Sequence, residues 1–389
     1  MRHHNSVLHG VLKQVPWAVF DKLVEEHGAD AGVRKLSTRS QLVALLYAQL
    51  AGAASLREIE AAMTSHSARL YHLGAAEVSR STLADANRLR SHKVFSGLFE
   101  ALVAQAGRGL RKASGEAVRL IDSTGVRLSG MAAEWARFSR HACGAKAHLI
   151  YDPDADRPLY LEVTTARVND ITAAKAMPIE PGATYVFDLG YYDYAWWAKL
   201  DQAGCRIVTR LKKNTPLEVV VEQALPAQSE REGSTLLYDR IGHLPKRLKG
   251  TRQHPFQDPV REIGVALEDG KTLRVVTNDL DAPAQEIADL YKRRWAIELF
   301  FRWVKQTLKI KHFIGRSENA VRIQIACALI AYLLVRIVQD ACKINMSPLA
   351  FAKLIRANIM HLRAPDQLLK PPPNRNHDPR QLTLNLAAT

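Results

Sequence analysis

A chain of 389 residues with 47% hydrophobic side chains can bury a large core, and its length suggests two or three domains, which excludes a small disulfide scaffold or a disordered tail. The formal charge of +15 and pI near 9.7 point to an acidic partner, and nucleic acid is the commonest one for a chain of this kind. The N-terminus lacks a continuous apolar export segment and the longest apolar run, IACALIAYLLV at 325–335, is short of the roughly 20 residues of a span, so a cytoplasmic chain with no membrane partner is expected. Cys143, Cys205, Cys327 and Cys342 are widely spaced and form no CxxC pair, which argues against a zinc site or a disulfide framework.

Residues 1–112 read as helical, because STRSQLVALLYAQLAGAASLREIEAAM combines Ser/Thr starts with Ala and Leu and few strand formers. Two short helices around HSARLYHLGAAEVSRSTLADANR would make a helix-turn-helix presenting Arg80, Arg88 and Arg90 to DNA, and a plain helical bundle with solvated arginines fits the pattern equally well. The character then changes at EAVRLIDSTGVRLS, where β-branched and apolar residues around Asp122 predict a strand running into a polar turn. KAHLIYDP and PLYLEVTTAR predict two more strands about the turn PDADR, whose Asp152, Asp154 and Asp156 lack the spaced Gly and Glu of a calcium loop. TYVFDLGYYDY predicts a strand ending at Asp188, followed by a helix and the strand CRIVTRLKKN.

Three strands followed by β-α-β describe an α/β fold with a mixed sheet flanked by helices, the main domain running over 113–214 and resuming over 286–345. Both Asp122 and Asp188 fall at strand ends, where open α/β sheets place functional groups. Between the two parts, residues 215–285 predict a β-rich insertion, and 346–389 is a C-terminal segment ending in the polar stretch KPPPNRNHDPR.

The stretch YKRRWAIELFFRWVKQTLKIKHF predicts one helix over 291–313, with Leu290, Ile297, Phe301, Val304 and Leu308 as its buried stripe. Tyr291, Arg294, Glu298 and Lys305 form a second stripe beside it, while Trp295, Arg302, Gln306 and Lys309 continue round the exposed side. Pairing of Glu298 with Arg294 and Arg302 would make an ordinary surface helix. Residues 291–316, however, hold eight Lys or Arg and one Glu, a face that attracts polyanions. A carboxylate inside it repels phosphate unless a metal ion lies between them. Asp122, Asp188 and Glu298 are hard oxygen ligands of the kind Mg²⁺ and Mn²⁺ take. The plain alternatives are that Asp122 and Asp188 cap turns, with Asp193 a neighbour able to replace Asp188. Lys146 and His148 would face the same cleft or else sit as exposed strand residues, His148 in a local hydrogen bond.

The pattern Y-x2-R-x3-E-x6-K at Tyr291, Arg294, Glu298 and Lys305, with IDST at Asp122 and VFDLGYYDY at Asp188, resembles the insertion-sequence-4 family of DDE transposases over residues 115–340. The resemblance implies a ribonuclease-H-like core with a β-rich insertion, and an all-α N-terminal domain that binds the element's ends. It implies that Asp122, Asp188 and Glu298 are catalytic and hold two Mg²⁺ ions, with Mn²⁺ able to substitute. Tyr291, Arg294 and Lys305, with Arg302 and Trp295 beside them, would grip double-stranded DNA at the terminal inverted repeats. The implied reaction is cut-and-paste transposition: nicking at the inverted repeat, often a hairpin on the transposon end, then joining of the 3′-hydroxyl to target DNA by a homodimer in a synaptic complex. Members with hairpin chemistry hold a flipped base with an aromatic ring of the insertion, and no tryptophan lies between Trp197 and Trp295, which leaves Phe256 and Tyr238 for that role. The region after 345 is shorter than the helical tail through which some members dimerise. A non-catalytic DNA-binding descendant acting as a repressor, and a structure-specific nuclease on the same fold, are the competing readings.

Overall fold

The computed structural model describes residues 6–109, 117–128, 134–137, 143–225, 235–245, 255–268, 270–307, 315 and 317–370. The chain opens with helices α1 (Val7–Leu12), α2 (Trp17–Glu26), α3 (Thr38–Ala51), α4 (Leu56–Ser65), α5 (Ser67–Leu70), α6 (Arg80–Leu89) and α7 (Lys93–Gly109). Serine starts several of them: Ser37, Ser55 and Ser79 each accept a backbone N–H of the following first turn, and Glu58 reaches back to the Ala54 N–H.

Strands β1 (Val118–Leu128), β2 (Cys143–Asp152), β3 (Arg157–Thr165), β4 (Thr184–Val186) and β5 (Arg206–Arg210) follow, with α8 (Asp170–Ala174) before β4 and α9 (Tyr194–Gln202) before β5. Strands β6 (Glu218–Glu222), β7 (Leu236–His243), β8 (Val260–Ala266) and β9 (Thr272–Thr277) complete one nine-stranded sheet of order β3-β2-β1-β4-β5-β9-β8-β7-β6. The pairs β1–β2 and β2–β3 are antiparallel, and β1–β4 and β4–β5 are parallel. The strands of 215–285 therefore extend the central sheet, because β9 returns antiparallel to β5.

Alternation along the strands sorts two cores. Leu120, Val186, Val208 and Val275 join one cluster, while their neighbours Ile121, Tyr185, Ile207 and Val276 join the other. The second cluster is roofed by α9, whose Trp196 and Trp197 are both about fully buried against Phe187. The first is shared by the sheet, the N-terminal helices, α10 (Ala284–Arg293), α11 (Trp295–Thr307), α12 (Glu318–Ala341) and α13 (Pro348–Asn358). α12 is 24 residues long and apolar enough to cross a membrane, longer than the apolar run alone suggested. It packs instead against α3, α6, α7 and β3, with 83% of its most apolar stretch buried. The helical N-terminal region is thus built around a helix from the far end of the chain.

One predicted element is divided: the helix expected over 291–313 breaks at Arg294 into α10 and α11. The Ile297 N–H bonds to the Arg294 carbonyl and the Arg294 N–H to the Tyr291 carbonyl, three-residue steps that tighten the chain there. Leu308 and Lys309, the side chain of Gln306, and the polar stretch beyond Lys370 lie outside the described residues.

Candidate active site

Parallel pairing of β1 with β4 sets Leu120 opposite Val186, and two residues beyond that pair on each segment come Asp122 and Asp188. By alternation Asp122 shares the face of Leu120, toward α11, which packs on β1. Glu298 enters from α11 in its first turn. Arg294 joins the two acids: its Nη1 lies 2.6 Å from Glu298 Oε1 and 3.9 Å from Asp122 Oδ2. Asp122 Oδ1 accepts the Ser123 N–H at 2.7 Å, and Asp188 Oδ1 accepts the Gly190 N–H at 2.8 Å. Asp188 therefore holds a turn, as the plain reading expected, whereas Asp122 does not: it lies inside β1, opposite Leu149, rather than at the strand end expected for it, because pairing with β2 carries the strand on to Leu128.

The electrostatics agree with that proximity. Burial raises the Asp122 carboxyl to about 7; the Ser123 N–H opposes the rise, the charges of Asp188 and Glu298 add to it, and Arg294 offsets them. Three acids crowded into a half-buried site call for positive charge, which Arg294 supplies between Asp122 and Glu298. Among the described residues no three His, Cys, Asp or Glu side chains are gathered round one point at metal-ligand spacing. The donor set nevertheless suits hard divalent cations, since the acids are oxygen ligands whose mutual repulsion a cation relieves.

The residues expected to grip DNA sort by exposure. Tyr291 is buried at 7%, and burial pushes its phenol up while Arg294 and Arg210 pull it down. Trp295 is half exposed, with the Arg302 guanidinium 6.0 Å from its ring centre, and Lys305 is half-buried farther along α11. A cavity of about 770 Å³ opens beside them, bounded by Tyr291, Arg294 and Trp295 on one wall and by Val265, Leu267 and Leu273 of the extended sheet on the other.

Other expected residues fall elsewhere. Asp193 caps α9 through the Trp196 N–H and pairs with Lys175, so it does not replace Asp188. Asp152 accepts the Asp154 and Ala155 N–H groups, the turn expected of PDADR. Phe256 is packed against Trp197 in the core, and Tyr238 lies on Gly264 with its hydroxyl donating to Glu262, so neither offers a free ring. Arg90 is buried and bonded to the Ala29 carbonyl and Gln41, a correction to its expected place facing DNA, whereas Arg80 and Arg88 are exposed on α6.

Lys146 and His148 are not exposed strand residues: Lys146 is half-buried on Asp170, and His148 is fully buried with Nε2 hydrogen-bonded to Thr164. Asp170, at the start of α8, is an acid of this site that sequence reading passed over. Its only local sign was the turn-like VND before a short helix.

A model of the transposase DDE domain matches residues 113–334, more than half of the chain and all three acids. The chain belongs to the DDE transposase family. A Sinorhizobium fredii protein named as a transposase, y4zB, is 41% identical over 296 residues, 76% of this chain and 82% of that protein. A protein of Geobacillus stearothermophilus named as a transposase for insertion sequence element IS5377 is 31% identical over 247 residues, 61% of each chain. A solved piggyBac transposase synaptic complex with hairpin DNA overlays 96% of this chain and 84% of its own at a TM-score of 0.48 and 10% identity, too loose a likeness to argue from. The N-terminal residues 3–76 match a domain of unknown function, DUF4372.

Proposed function

We propose that this DDE transposase serves a bacterial insertion sequence, binding its terminal inverted repeats and moving it by cut-and-paste cleavage and strand transfer. The observation that carries the reading is the single guanidinium of Arg294 shared by Asp122 of β1 and Glu298 of α11, with Asp188 beside them. The strand order β3-β2-β1-β4-β5, antiparallel then parallel, supports a ribonuclease-H-like core that presents these acids.

Asp122, Asp188 and Glu298 would hold two Mg²⁺ ions, or Mn²⁺, which activate the attacking oxygen and stabilise the leaving one when bound. The chain's own contribution is placement. Asp122 and Asp188 are fixed by backbone N–H groups, and Glu298 by its helix and Arg294. Arg294, Tyr291 and Lys305 run from the acids along α10 and α11 and would hold phosphates of the DNA end, with the Arg294 fork suited to two phosphate oxygens. Trp295, half exposed and flanked by Arg302, offers a face for a base at the same end. Arg80 and Arg88 supply basic groups on α6 for more distant contacts, and a homodimer would pair the two ends.

The test is cleavage of a DNA fragment carrying the element's own inverted repeat, with Mg²⁺, by the full chain. Metal-dependent cutting at the repeat boundary is the expected result. Binding without cutting, with Mn²⁺ and paired ends also supplied, would favour the non-catalytic repressor. Cutting indifferent to the repeat would favour a structure-specific nuclease.

A further inference from the structure

Asp170 touches both aspartates' supports. One of its oxygens, Oδ1, accepts from Ser123 Oγ at 2.7 Å and from Lys146 Nζ at 3.1 Å, and lies 3.7 Å from His148 Nδ1. His148 is wholly buried, and that nitrogen has no hydrogen-bond partner among the described residues. The other oxygen, Oδ2, lies against Gly190: a Cβ placed there would sit 3.2 Å from it and 3.0 Å from Asp188 Oδ1. Ser123 and Gly190 are the residues whose backbone N–H groups orient Asp122 and Asp188. A single carboxylate, drawn from a helix outside the sheet, thus reaches both Ser123 inside β1 and the turn at Gly190 that follows β4.

We propose that Asp170 is a positioning residue for the two aspartates, locking Ser123 and Gly190 so that Asp122 and Asp188 face a shared cation, with Lys146 balancing its charge. The inference rests on the metal-holding role assigned to Asp122 and Asp188 above. Ser123 is the tighter link, since its hydroxyl is held by Asp170 while its N–H holds Asp122. Gly190 is the looser one, where only the absence of a side chain lets two carboxylates approach. Outer-shell groups of this kind commonly change metal affinity by about 10–100-fold when removed.

The test is a Mn²⁺ titration of the full chain on its inverted-repeat DNA, followed by electron paramagnetic resonance of free Mn²⁺, with DNA affinity measured separately in chelator. Asp170→Ala should raise the Mn²⁺ concentration for half-saturation by about 10-fold or more, leaving metal-free DNA affinity within twofold. Asp170→Asn keeps an acceptor for Ser123 and should fall between. Gly190→Ala, whose Cβ would press on Asp188 Oδ1 as well as on Asp170 Oδ2, should weaken Mn²⁺ binding in the same sense. Half-saturation within twofold of the unmodified chain for Asp170→Ala would overturn the proposal. If that variant does not fold, Ser123→Ala, which removes only the hydroxyl, decides: several-fold weaker binding supports the proposal and unchanged binding overturns it. Asp122→Ala is the separate control. Loss of Mn²⁺ binding there upholds the metal reading while the Asp170 variants are judged, whereas its retention sinks that reading and this inference together.

Discussion

Arg294 Nη1 lies 2.6 Å from Glu298 Oε1, one helical turn further along the chain, at the point where α10 gives way to α11. The same nitrogen faces Asp122 Oδ2, so two acids that repel each other are held by one cation. Removing it should expose that repulsion. Arg294→Ala is expected to destabilise the metal-free protein by about 1–3 kcal/mol, since its side chain is only 15% exposed. Added Mn²⁺ should restore more stability to this variant than to the unmodified chain, because the ion replaces the missing charge. Thermal melts with and without Mn²⁺ check this, and an equal gain in both proteins would count against it.

Glu298→Gln keeps the shape of the side chain and removes its charge. Cleavage should fall by at least about 100-fold, the scale for losing one preorganised electrostatic group, while binding of the inverted repeat stays within a few-fold. Gel-shift and cleavage assays on one DNA fragment separate the two. Lys305→Ala should do the reverse, weakening the DNA complex and lowering the slope of affinity against salt by about one phosphate's worth. Similar losses of binding in both variants would undo the division of labour.

In the N-terminal helices the arginines divide by burial. Arg90 donates to the Ala29 and Leu36 carbonyls and to Gln41, and pairs with Asp30, so Arg90→Ala leaves several buried acceptors unpaired. A loss of roughly 3–5 kcal/mol in unfolding free energy is expected, measured by urea denaturation. Arg80→Ala, at an exposed position, should leave stability within about 0.5 kcal/mol and weaken DNA binding.

His148 sets an acid limit on stability. Burial lowers its imidazole from the usual 6.5 to about 4, with Asp170 opposing and Lys146 assisting. The folded state then binds fewer protons than the unfolded state between those values, so stability is full above pH 6.5 and declines as pH falls toward 4. The total is roughly 3 kcal/mol, and His148→Gln should flatten that part of the pH profile. A profile unchanged by the substitution would show that other groups govern the acid transition.

Much of this architecture was legible because it is local. β-branched and apolar runs at Asp122 and before Asp188 announced two strands bearing acids, although β1 continues past Asp122 to Leu128, and the strand sequence announced a mixed sheet. The spacing of Tyr291, Arg294 and Glu298 put them near one another even though the chain breaks at Arg294, since that break shifts the stripe without dispersing it. What could not be read depends on long-range contacts. Asp170 meets Ser123 across 47 residues and Lys146 across 24, and nothing near Asp170 announces either partner. Arg90 looks like any helix-end arginine until the loop carrying Ala29 and Leu36 folds over it. The packing of α12 into the N-terminal helices is equally non-local, and no periodicity in either segment names the other.

The most direct test of the central claim replaces a ligand oxygen with sulfur. Asp188→Cys, assayed for cleavage of the inverted-repeat fragment, should be inactive with Mg²⁺, which binds thiolate poorly, and should regain cutting at the same position with Mn²⁺, which tolerates it. That switch requires the side chain at 188 to touch the ion. Cleavage by Asp188→Cys at the unmodified rate in Mg²⁺ would contradict the claim that this acid holds the metal.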